Sequence, residues 1–131
     1  MDERVFDVIV VGGGNAGLVS AIEHEAKSLL LIERAPKELR GGNSRCTRDI
    51  RYAHEDVDGF TTGIYSRDEM LNDILRVTGG RTNLELARIV VGRSQELIQW
   101  MYRYGVPLVK AYRGALHISR ANAFFIGGGG S

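Results

Sequence analysis

The apolar run Val8-Ile9-Val10-Val11 passes without a polar break into Gly12-Gly13-Gly14-Asn15-Ala16-Gly17. This junction constrains the fold more than any other stretch of the chain. The glycines at 12, 14 and 17 make G-x-G-x-x-G, a helix-like stretch follows, and a second apolar run, Leu29-Leu30-Leu31-Ile32, ends on the acid Glu33. A lone glycine match says little. In this order it predicts a dinucleotide-binding βαβ unit, a buried strand delivered into a phosphate-cradling turn. Gly12 permits the tight turn out of the strand, Gly14 lets backbone approach a pyrophosphate, and Gly17 lets the helix pack closely on the sheet. The free N–H groups where the helix opens, around Asn15 and Ala16, face the phosphates, and the helix dipole favours their charge. Glu33 is placed to accept hydrogen bonds from adenosine ribose hydroxyls. Its charge repels a 2′-phosphate, so Arg34 beside it is not read as a mark of NADP. The competing reading of the glycines is a flexible turn.

One interval is irregular. Only residues 18–32 separate Gly17 from Glu33, and His24-Glu25-Ala26-Lys27-Ser28 stands where a glycine would normally turn the chain back to the sheet. The helix must end early or tightly.

At 131 residues the chain has the length of about one domain, enough for a single core but short for an enzyme holding both a dinucleotide and a substrate. A formal charge of +1 supports neither nucleic acid nor an anionic membrane as partner. Cys46 is the only cysteine, which excludes an internal disulfide and gives no zinc or iron–sulfur constellation. It is expected as a small buried residue, the alternative being a redox-sensitive thiol. No run approaches a membrane span and no signal-peptide core follows Met1, so a cytoplasmic location is expected.

The βαβ unit is assigned to residues 1–35, with parallel strands over 5–11 and 29–32 buried on both faces, and a helix from about Asn15 to Lys27. Residues 34–44 read as loop, and residues 47–62 show no clear period and are left irregular. A helical insert follows over residues 66–105. Ser66-Arg67-Asp68-Glu69 has capping-box form, and Met70, Leu71, Ile74 and Leu75 recur at helical spacing until Gly79-Gly80. Thr82-Asn83-Leu84-Glu85 repeats the box, and Leu86, Val90, Leu97, Ile98, Met101 and Tyr102 mark a buried face, with Gly92 a potential break. Residues 106–126 predict a hairpin, Leu108-Val109 pairing with Ala115-Leu116-His117-Ile118 across Arg113-Gly114, and residues 127–131 form a Gly-rich tail. His117 is read as a hairpin surface residue.

Gly12-x-Gly14-x-x-Gly17, Leu31-Ile32-Glu33-Arg34-Ala35-Pro36, Arg40-Gly41-Gly42-Asn43-Ser44 and Thr78-Gly79-Gly80-x-Thr82-Asn83 together resemble the fumarate reductase/succinate dehydrogenase flavoprotein family. Arg113-Gly114-Ala115-Leu116-His117 and Asn122-Ala123-Phe124-Phe125-Ile126-Gly127-Gly128-Gly129 bring the likeness nearest to its tricarballylate-dehydrogenating members. The resemblance runs almost end to end but covers only the amino-terminal part of such a protein. It implies an α/β fold, a Rossmann-like FAD-binding βαβ unit incomplete at its carboxyl end, without the capping domain that holds substrate. It also implies cofactor contacts at Gly41, Gly42, Asn43 and Ser44. Succinate dehydrogenases place a flavin-linking histidine where Asn43 stands, so the implied FAD is held non-covalently. Read without the resemblance, Gly41-Gly42-Asn43-Ser44 is an ordinary turn followed by a helix cap.

The leading expectation is therefore the FAD-binding portion of a flavin-dependent oxidoreductase that acts on a CH–CH group of a small di- or tricarboxylate, inactive as an isolated fragment. Its catalytic residues and electron-transfer partner are not assigned. Arg45, Arg48 and Arg51 read equally well as phosphate or carboxylate partners and as a solvated basic strip. Two other classes remain open, a non-catalytic nucleotide-binding fragment and an NAD-binding dehydrogenase domain.

Overall fold

A computed structural model describes residues 4–110 and 119–125. They form a mixture of helix and strand that divides into two compact units at Thr47–Arg48.

In the first unit, strand β1 (Val8–Val11), helix α1 (Asn15–Glu23) and strand β2 (Leu29–Ile32) follow one another, and the two strands pair in parallel from Val8↔Leu29 to Val11↔Ile32. The helix stops four residues before the expected Lys27. His24 turns the backbone to an extended conformation, φ −77° and ψ 151°, so the chain returns to the sheet without a left-handed glycine. The return is braced by polar side chains. The Asp7 carboxylate accepts from both the N–H and the hydroxyl of Ser28, at 2.9 and 2.8 Å, while Asp7 N–H donates to Ser28 Oγ. The strands are not buried on both faces as their composition predicts. Ile9 is 57% and Val11 81% exposed, and Ile32 is also exposed, because in this unit no described element covers that side of the pair.

The second unit contains strand β3 (Asp49–Arg51), helices α2 (Arg67–Val77) and α3 (Leu84–Arg103), and strands β4 (Leu108–Val109) and β5 (Asn122–Phe125). The strands form an antiparallel sheet in the order β3-β5-β4. Leu108-Val109 is a strand as expected, and among the described residues it pairs with Asn122–Phe125, Leu108 lying opposite Phe125. The expected turn at Arg113-Gly114, the strand over 115–118 with His117, and the tail over 127–131 lie outside the described residues.

Helix α2 begins as its sequence predicts, with a complete capping box. The Ser66 hydroxyl accepts from Glu69 N–H, and Glu69 returns a bond to Ser66 N–H. At α3 the cap is Asn83 rather than Thr82, its side chain accepting from Leu86 N–H at 3.0 Å. Gly92 does not break α3, which runs unbroken for 20 residues. The buried face of α3 is Ala87, Val91, Ser94, Ile98 and Met101. It is rotated from the face that the large apolar residues predict, leaving Leu86, Val90 and Tyr102 at 60%, 57% and 65% exposure. The small side chains of Ala87 and Ser94 allow close helix approach, and the Ser94 hydroxyl is needed inside. It accepts from the buried Ala53 N–H at 2.9 Å and donates to Val91 O.

Residues 47–62, irregular by sequence, supply much of the core. Ala53 packs with Tyr65, Met70, Val91 and Ala121, and Tyr52 packs with Ile98 and Ala123. Tyr52-Ala53-His54 is buried as a unit. The His54 ring lies within hydrogen-bond reach of Tyr52 O, Gly63 O and the Thr61 hydroxyl, and Thr61 and Tyr52 both donate to Asp58. Burial and the Asp58 charge hold the Tyr52 phenol far above its ordinary pKa.

Candidate functional site

Every residue singled out from the glycine motif and the Gly41-Gly42 segment lies in the first unit. Each glycine of the motif has a different relation to its surroundings. Gly12 sits at φ 103°, a left-handed conformation that disfavours side chains, and its N–H closes the strand pair on Ile32 O at 2.7 Å. At Gly17 a Cβ would stand 2.0 Å from Gly12 O, so the helix lies against the turn with no room for a methyl group. Gly14 differs from both. Its backbone, φ −74° and ψ 177°, is open to any residue, and a Cβ there would meet nothing nearer than Gly41 O at 3.7 Å, an ordinary contact. Neither conformation nor packing within the described residues asks for glycine at this position. A Cβ at Gly14 would be accommodated where α1 begins, at an N-cap position that offers no side chain of its own.

Glu33 is held from two sides. One carboxylate oxygen accepts from Gly13 N–H and the other from Ala35 N–H, both at 2.7 Å. Gly13, which the glycine pattern leaves as a free position, is therefore a structural partner of the acid, and a Cβ on it would lie 2.9 Å from Glu33 Oε2. Each carboxylate oxygen keeps a second lone pair, so ribose hydroxyls still have acceptors here.

Backbone donation by Ala35 and Gly13 holds the Glu33 carboxyl below the ordinary range. A depressed acid stabilises the turn above its unfolded pKa, and that contribution disappears as pH falls through the folded value. The Gly13 and Ala35 amide resonances are expected to shift together with a midpoint below the 4.5 of an ordinary glutamate, measurable by NMR titration. A midpoint at or above that value would remove the clamp.

The Gly41-Gly42 segment approaches the motif from the side. Both glycines take left-handed conformations, and Gly42 opens a short 3₁₀ turn, Gly42–Cys46. Asn15 N–H donates to Ser44 Oγ at 3.0 Å. Asn15, Ala16, Arg34 and Asn43 are exposed around this arrangement. Cys46, expected to be buried, is exposed because the 3₁₀ turn carries no apolar face into a core. In the second unit Arg51 is engaged structurally, with Asn122, with Asp73 and over the Tyr65 ring.

Among the described residues no group of three or more His, Cys, Asp or Glu side chains is placed to hold a metal ion, and no helix is long and apolar enough to cross a membrane. The site brings together the amino terminus of a helix, one hydroxyl and one carboxylate around a glycine turn, groups that suit a phosphate-bearing nucleotide with ribose hydroxyls.

Comparison with known proteins agrees. Residues 7–125 match the model of the FAD binding domain. The chain is 31% identical over 108 residues to an NADH:fumarate oxidoreductase of Klebsiella pneumoniae (strain 342), covering 80% of this chain and 12% of that protein. It is 29% identical over 117 residues to L-aspartate oxidase 1 of Ralstonia nicotianae (strain ATCC BAA-1114 / GMI1000), covering 88% of this chain and 21% of that protein. It thus spans about an eighth and a fifth of these relatives. Because the match takes in the glycine turn, Glu33 and the Gly41-Gly42 loop together, the chain belongs to the FAD binding domain family of flavin-dependent oxidoreductases, and its cofactor is FAD.

Proposed function

We propose that this chain is the FAD-holding portion of an oxidoreductase acting on a CH–CH group of a small di- or tricarboxylate. The observation that carries the reading is Gly14, a glycine that neither backbone conformation nor packing requires, at the start of α1 in the glycine turn. The names of the two relatives, one acting on fumarate and one on L-aspartate, support a small carboxylate as substrate. Tricarballylate within that class rests on the sequence resemblance alone. A cytoplasmic setting belongs to the same proposal.

In this reading Gly12, Gly14 and Gly17 shape the turn, the amino terminus of α1 at Asn15 and Ala16 lies toward the pyrophosphate with its dipole favouring the phosphate charge, and Glu33 accepts from the adenosine ribose. Arg34 lies beside the ribose, while Gly41, Gly42, Asn43 and Ser44 form the second wall. Bound FAD supplies hydride acceptance at the flavin ring. Asn43 has no side-chain chemistry for a flavin bond, so attachment is non-covalent. The two-stranded parallel pair, with Ile9, Val11 and Ile32 exposed, is read as part of a larger Rossmann-like sheet.

Denaturing a flavin-loaded sample is expected to release all of the flavin to the supernatant, and before denaturation the 131-residue chain is expected to show no substrate-specific bleaching with tricarballylate or succinate under anaerobic conditions. Flavin remaining on the precipitated chain would contradict the Asn43 argument. Bleaching would show that these residues alone position substrate, which hydride transfer requires to within about 1 Å. A chain that takes up NADH but no flavin would favour the nicotinamide alternative.

A further inference from the structure

The first backbone donor of α1 is capped from a distant part of the chain. Asn15 is the first residue of the helix, so its N–H has no acceptor inside it. Gly14, the residue before it, has no side chain to offer. The acceptor is Ser44 Oγ, 29 residues later and 3.0 Å away. Gly41 and Gly42 make this possible. At φ 108° and 55° they turn the loop so closely onto the motif that a Cβ on Gly42 would lie 3.9 Å from Gly14 Cα. Ser44 is half-buried, and among the described residues no acceptor takes its hydroxyl hydrogen.

We propose that Ser44 is a positioning residue acting through Asn15, joining the second loop to the glycine turn so that the two move as one wall of the cofactor site. The inference rests on the FAD reading above. Asn15 N–H, one of the donors that would otherwise point at a phosphate, is withdrawn from that role and fixes the helix start instead. A hydroxyl both donates and accepts, so Ser44 accepts the hydrogen bond from Asn15 N–H and keeps its own hydrogen for the phosphate side. The contact is therefore present before any cofactor arrives. It lowers the ordering that binding would otherwise require.

Two variants test this, Ser44→Ala and Ser44→Thr, with two readouts each. In the FAD-free chain, hydrogen exchange at the Asn15 amide is expected to accelerate at least about fivefold in Ser44→Ala, the loss of one ordinary hydrogen bond. FAD affinity, measured by flavin fluorescence, is expected to fall about fivefold to tenfold. Ser44→Thr, which keeps the hydroxyl, should stay within about twofold of wild type in both. Far-UV circular dichroism establishes that the variants are folded. A weaker-binding Ser44→Ala whose Asn15 amide exchanges as in wild type would make Ser44 a ligand contact only, and overturn the positioning role. A loosened amide with unchanged affinity would make the cap purely structural and overturn it equally. Wild-type chain that takes up no FAD would overturn the cofactor reading itself, and with it the coupling. Wild-type binding with both Ser44→Ala readouts unchanged would overturn only the coupling.

Discussion

Gly17→Ala is expected to destabilise the β1–α1–β2 unit by about 3 kcal/mol or more, the upper end of what overpacking costs. The added carbon would stand 2.0 Å from Gly12 O, 3.1 Å from Gly12 C and 3.3 Å from Val10 Cγ1. Two of those atoms are backbone at the tightest point of the turn, so no side-chain rotation relieves the overlap and α1 must move off β1. The direction opposes intrinsic propensity. An alanine inside a helix is ordinarily better than glycine by about 1 kcal/mol. Urea unfolding of the two proteins measures the difference, and because domains of this kind hold only about 5–15 kcal/mol in total, the loss is large enough to read directly. An unchanged or raised midpoint would mean that the helix does not lie against Gly12 as described.

Gly14→Val should behave oppositely, keeping the fold and losing the cofactor. Its backbone angles are those of an extended residue, and the nearest atom to an added Cβ is at 3.7 Å. The side chain instead enters the space that a pyrophosphate would use. FAD affinity is expected to fall at least tenfold, about 1.4 kcal/mol or more, by titration calorimetry. Valine is also a poorer residue than glycine just before a helix, so Gly14→Ala serves as the milder companion, and urea unfolding of both variants separates stability from binding. Equal affinity in wild type and Gly14→Val would remove the phosphate-cradle reading. The contrast with Gly17 is the sharper result, since two glycines of one motif are expected to fail in different assays.

What was legible in the sequence shares a common property, locality. The β1–α1–β2 order and the Ser66–Glu69 capping box are carried by residues within a few positions of one another or by a motif of fixed spacing. Backbone conformation and first-turn hydrogen bonds are decided over that range, so the residue types alone imply them. The face of α3 shows where this stops. Several rotations of that helix present apolar residues, and the one chosen, through Ala87, Val91, Ser94 and Ile98, is selected by the Ala53 N–H that Ser94 must satisfy.

The remaining decisions belong to tertiary structure for the same reason. Tyr52-Ala53-His54 has no period to read, yet it forms core because helices and a distant strand close over it. Leu108-Val109 pairs with the distant Asn122–Phe125. Glu33 is clamped by Gly13, and Asn15 is capped by Ser44, through contacts spanning 20 and 29 residues. By itself the sequence determined the strand, glycine turn, helix and strand order, and through its family likeness the FAD cofactor. Only the folded chain decided which glycine is required by packing and which is not, because the distance from an absent Cβ to its neighbours exists only once distant segments have met.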